Sequence, residues 1–72
     1  MDFKERAISH IRDDIELLRN QYEENEIRAG VNSVRGQVRL LMNTRVITLE
    51  DAEILEREMG EARTAAAKNV ED

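Results

Sequence analysis

The sequence predicts an all-α fold, a small three-helix bundle or a helical hairpin that assembles into a dimeric bundle, and three observations carry that expectation. The 72 residues contain no Pro and only three Gly, so little in the chain interrupts a helix. Apolar residues recur at alternating spacings of three and four in three successive segments, the pattern of one buried face per helix. A capping signal at Thr48 separates the last segment from the middle one.

The first helix is expected over about 3–24. Asp2 is its N-cap, with a carboxylate able to accept backbone N–H bonds from the first turn, and Glu5 stands where a capping box needs it. Ile8, Ile11, Ile15, Leu18 and Tyr22 then follow at spacings of three, four, three and four, and Ala7 widens the stripe. Beyond Tyr22 the phase is lost to Asn25 and Glu26, which predicts a break between Glu23 and Glu26.

A second helix, about 27–42, presents Ile27, Val31, Val34, Val38 and Leu41. Gly30 and Gly36 lie inside it and each disfavours helix by about 1 kcal/mol relative to Ala, so packing must hold the segment helical. Two other layouts fit the same residues: Gly30 as the stop of a longer first helix, with Asn32 and Ser33 capping the next, or one helix from Phe3 to Met42. The third helix, about 49–67, opens at the Thr48 cap with Asp51 three residues on. Glu50 and Glu53 sit favourably near the positive end of its dipole. Ala52, Leu55, Met59, Ala62 and Ala66 form its stripe, and residues 68–72 are expected to fray.

Residues 1–72 are thus read as a single helical domain, and one so short buries only about 60% of its unfolded surface. Small folds are usually reinforced by disulfides, a metal or oligomerisation, and a chain with no Cys and one His points to the last. Each segment also carries a large aliphatic residue well outside its stripe: Leu17, Leu40 and Ile54. At about 100° per residue these cannot share the buried face. A second contact surface, covered by another copy or by a partner, explains them.

Charge is segregated. Net charge is −5, but residues 1–26 carry −4, residues 27–49 carry +4 without one acidic side chain, and residues 50–72 carry −5. Arg28, Arg35 and Arg39 share a face about a quarter turn from the valine stripe, where a bundle places ion pairs between helices. Pairing with acids such as Asp13, Glu16, Glu23, Glu53 and Glu56 is the expectation. The alternative reading is a small nucleic-acid-binding regulator that sets Arg28, Arg35, Arg39 and Arg45 against phosphates. Acidic total charge and the absence of interleaved aromatics argue against it. The helix-turn-helix spacing around Gln37 to Glu56 occurs in any bundle.

Catalytic, cofactor and metal sites are not expected. His10 stands four residues before Asp14, a local helix pair, and no further His or Cys accompanies it. Ser9, Ser33, Thr44, Thr48 and Thr64 read as caps or surface residues, and Gly30 and Gly36 fit no phosphate-binding loop. Met42 and Met59 read as core filler. Residues 1–6 carry both charge signs and precede no apolar run, so no secretory signal is expected, nor any membrane span, and the cytoplasm is the expected setting.

These observations converge on a non-enzymatic protein–protein interaction module, a small regulatory protein acting as a self-associating adaptor, inhibitor or regulator. Its expected partners are a second copy and a protein of unstated identity. The expected contacts are Leu17, Leu40 and Ile54, with Arg35 and Arg39 orienting the partner.

Overall fold

The computed structural model describes residues 1–71 and consists of α1 (Phe3–Arg19), α2 (Glu24–Asn43) and α3 (Leu49–Glu71). Each helix packs on the other two, forming a three-helix bundle of 39 × 21 × 17 Å. Contacts of Asp14 with Gln37 and of Leu18 with Gly30 run α1 and α2 antiparallel. Lys4 with Asp51, Arg12 with Glu58 and Arg19 with Asn69 run α1 and α3 parallel. The chain therefore goes up, down and up around one core, as short connections require.

That core follows the three stripes. Ile11, Ile15 and Leu18 of α1, Ile27, Val31, Val34 and Val38 of α2, and Ala52, Leu55, Met59, Ala62 and Ala66 of α3 are buried. Ile8, Leu41, Met42 and Val46 pack at its edge. The largest fully buried side chains are Ile11, Leu18, Leu55, Val34 and Val38, each worth roughly 1.5–3 kcal/mol of transfer free energy. No aromatic ring reaches the interior.

Three boundaries differ from the spacing-based expectation, one of them the start of α2, which lies at Glu24, inside the break expected between Glu23 and Glu26, rather than near 27. Of the other two, the first is the end of α1, which lies at Arg19 rather than near position 24, with Tyr22 74% exposed in the connection rather than on the buried stripe. The reason lies in the last four carbonyls of α1, which no intrahelical N–H can satisfy. Asn20 closes two of them: its side-chain amide donates to Glu16 O at 3.1 Å and its backbone N–H to Leu17 O at 3.2 Å. Gln21 N–H donates to Leu18 O at 3.1 Å, and the Asn69 amide of α3 reaches Arg19 O at 3.2 Å and Gln21 O at 3.0 Å. With every carbonyl satisfied, the chain turns three residues before the stripe loses phase. Gly30 does not stop a helix, and α1 and α2 are not continuous.

Second, α3 runs to Glu71 instead of ending near Ala67, because Asn69 is tied to the α1 terminus. Asp72, the end of the expected tail, lies outside the described residues.

Asp2 and Thr48 cap their helices as expected, but among the described residues the Glu5 carboxylate does not return a bond to Asp2 N–H, so the first box is half formed. Asp2 Oδ1 accepts from Glu5 N–H at 2.8 Å. Thr48 and Asp51 form a complete capping box, Asp51 N–H donating to Thr48 Oγ1 at 3.1 Å and Thr48 N–H to Asp51 Oδ2 at 3.0 Å. Between them, α2 ends in a Schellman turn: Val46 N–H donates to Leu41 O at 2.8 Å and Arg45 N–H to Met42 O at 3.0 Å. Arg45 holds the left-handed position of that turn, with φ of 63°. Ile47, read from the sequence as mere connection, is buried beneath it.

Candidate functional site

The ion pairs concentrate on one seam of the bundle. Lys4 Nζ lies 2.9 Å from Asp51 Oδ2, and Arg12 meets Glu58 with two parallel bonds, Nε to Oε1 and Nη2 to Oε2, each 3.0 Å. The bond to Glu58 and its charge raise the Arg12 pKa above its ordinary value. Asp51 is pulled down to about 2, chiefly by the Thr48 backbone N–H and then by Lys4. His10 Nε2 is 3.8 Å from Asp14 Oδ2, whose firmer partner is the Gln37 amide at 2.8 Å. Arg19 pairs locally with Glu16 at 3.5 Å.

Arg28, Arg35, Arg39 and Arg45 take no part. Among the described residues none of these four guanidinium groups lies within 4.0 Å of a carboxylate, which corrects the expectation that Arg28, Arg35 and Arg39 pair with acids on neighbouring helices. Geometry explains the difference. Arg28 and Arg35 lie on the flank of α2 that faces α3, where α3 presents Arg63 and Ala67, and its one acid there, Glu71, stands beyond 4.0 Å of either guanidinium. The α3 acids that reach a partner, Asp51 and Glu58, lie on its opposite flank, against α1.

Arg28, Arg35 and Arg63 thereby line an open groove of about 520 Å³ between α2 and α3. Ile27 and Val31 form its floor, Ala67 and Val70 its apolar α3 wall, and Glu24 and Glu71 its upper end. Arg39 lies one turn below Arg35 on the same row, and Arg45 stands apart in the connection.

The exposed aliphatics divide between two seams. Leu17, 63% exposed, lines a smaller groove between α1 and α2 with Asp14, Glu26, Ala29 and Ser33. Leu40, 62% exposed, stands two turns beyond Ser33 on the same side of α2, roughly 10 Å along the axis. Ile54 does not join them. It sits between Asp51 and Glu58 in sequence, on the side of α3 that faces α1, and is only 38% exposed.

Two features escaped the sequence reading. Ala29, Ser33, Gly36 and Leu40 repeat at spacings of four, three and four, a second stripe on α2 without a charge in it. All four are exposed, and a Cβ built on Gly36 meets nothing within 4 Å. The small side chains concealed this row from a search for large apolar residues. Arg63 was missed for another reason: only packing of α3 brings it opposite Arg28 and Arg35.

Among the described residues no cluster of three or more His, Cys, Asp or Glu is placed to hold a metal ion, and no helix is long and apolar enough to cross a membrane. Comparison of the chain with protein-family models, with curated proteins and with solved structures finds no match. The functional reading therefore rests on these surfaces.

Proposed function

We propose that this chain is a non-enzymatic protein–protein interaction module that self-associates through the α1–α2 face and serves as a small adaptor, inhibitor or regulator in the cytoplasm. The observation that carries the reading is the placement of Leu17 and Leu40 on one side of the bundle, both more than 60% exposed, beside the uncharged Ala29–Ser33–Gly36 row. Small residues let a second helix approach closely, and flanking leucines supply apolar area. Ile54, on another seam, is not part of this contact. Arg35 and Arg39, without an ion pair among the described residues, are the side chains that select a partner's orientation in this reading.

Sedimentation equilibrium over a wide concentration range, with circular dichroism on the same samples, tests the reading. Leu17→Asp and Leu40→Asp are each expected to shift a dimer toward monomer without loss of helicity, because neither side chain belongs to the core. A wild-type chain that stays monomeric at millimolar concentration rejects self-association.

The unpaired arginine row also favours a second reading, a nucleic-acid-binding regulator contacting phosphates through Arg28, Arg35, Arg39 and Arg45. Titration with duplex DNA at two salt concentrations separates the readings, since binding driven by phosphates weakens steeply with salt.

A further inference from the structure

We infer that the groove between α2 and α3 is a docking site for an acidic amphipathic helix of a partner protein. The groove is distinct from the α1–α2 face, and the inference does not depend on self-association there. Its chemistry has two parts. Arg28, Arg35 and Arg63 line it from both helices, and among the described residues none has a carboxylate within 4.0 Å, although the chain as a whole carries −5. Beneath them Ala67 and Val70 of α3 are open to solvent along the groove, above the buried side chains of Ile27 and Val31.

An occupant complementary to both parts has an apolar stripe flanked by carboxylates, which planar guanidinium groups can grip with two bonds each. Length agrees with a helix. From Glu24 to Arg35 the α2 wall spans about 16 Å, close to three turns of an occupying helix laid along it. Glu24 and Glu71 at the upper end oppose a uniformly acidic ligand, so that end of the occupant is neutral or basic, which fixes its direction. Duplex DNA fits less well: it offers nothing to the aliphatic floor, and its continuous phosphates meet those two acids.

The test is a displayed library of fourteen-residue helical peptides, randomised at the positions of one face and its flanks and selected on the intact chain. Selected peptides are expected to carry Asp or Glu beside an apolar stripe spaced i, i+3 or i+4, and i+7. Their affinity should fall at least tenfold in the Arg35→Glu, Arg63→Glu double variant and stay unchanged in Arg57→Glu, which lies outside the groove. Circular dichroism verifies the fold of each variant, and Arg35→Gln with Arg63→Gln gives the same readout should the charge reversal disturb helicity.

Selection of no peptide, selection of peptides without acidic flanks, or binding that survives both double variants overturns the proposal. So does a twelve-base-pair duplex that displaces the selected peptides and is itself lost in the same variants, which assigns the groove to phosphates. A wild-type dimer that dissociates on the Arg35 and Arg63 changes, rather than on Leu17→Asp, also overturns it, because the occupant is then a second copy.

Discussion

Leu18 of α1 fills the space that a side chain on Gly30 of α2 would need: a Cβ at Gly30 would stand 3.1 Å from Leu18 Cδ1. Leu18 is 1% exposed, so it has little room to withdraw. Gly36 and Gly60, also helical, meet nothing within 4 Å.

This contrast sets an order among three substitutions. Ala in place of a helical Gly is worth up to about 1 kcal/mol, so Gly60→Ala and Gly36→Ala are expected to raise stability by that amount. In Gly30→Ala the same gain is offset by displacement of Leu18, and crowding a packed core costs about 1–3 kcal/mol, so no gain or a net loss is expected. Urea unfolding at matched protein concentration measures the order. A Gly30→Ala protein as stabilised as Gly60→Ala would show that the α1–α2 contact is loose.

Arg45 occupies a left-handed conformation in the Schellman turn, where a Cβ crowds the following carbonyl. Glycine removes that strain at some cost in unfolded-chain entropy. Arg45→Gly is therefore expected to stabilise the fold by about 0.5–1 kcal/mol, and Arg45→Val to destabilise it. Thermal unfolding of the pair reads the difference directly.

Asp51 supplies a pH dependence of definite sign. Its carboxyl is lowered from 3.8 to about 2 by the Thr48 N–H and by Lys4, so the folded chain holds it ionised more firmly than the unfolded chain does. The stabilisation is fully present above about pH 4 and is lost as pH falls through about 2. Asp51→Asn is expected to be less stable at neutral pH and to lose less stability between pH 4 and 2 than the wild type. Denaturant midpoints across that window decide it; parallel acid limbs would mean that Asp51 titrates alike in both states.

Asn69 joins the end of α3 to the end of α1 through the carbonyls of Arg19 and Gln21. In Asn69→Ala those carbonyls turn to water, a loss of up to about 1 kcal/mol at this exposed site. Hydrogen exchange is expected to quicken across residues 19–24 and 67–71 while Leu55 and Val34, in the core, keep their protection. Unchanged exchange at the connection would show that Asn20 and Gln21 suffice to end α1.

Much of the fold could be read from residues near one another in sequence. The stripes of α2 and α3, the Thr48–Asp51 capping box and the exposure of Leu17, Leu40 and Ile54 all follow from helical spacing and local hydrogen bonding, which depend on neighbours within about four positions. Asp2 belongs to the same group.

What the sequence left open depends on residues far apart along the chain. The end of α1 at Arg19 rather than past Tyr22 is accompanied by bonds from Asn69, fifty positions away from Arg19, to the carbonyls of Arg19 and Gln21. Gly30 read equally well as a stop or as helix until Leu18 stood against it. The arginine row was visible as a row, but its lack of partners among the described residues and the position of Arg63 across the groove exist only once α3 lies along α2 with Asp51 and Glu58 turned toward α1. Helical periodicity determines which side of each helix faces inward; which helix stands beside each flank is fixed by packing all three together, because one helix rotates its neighbours' unpaired groups into or out of reach.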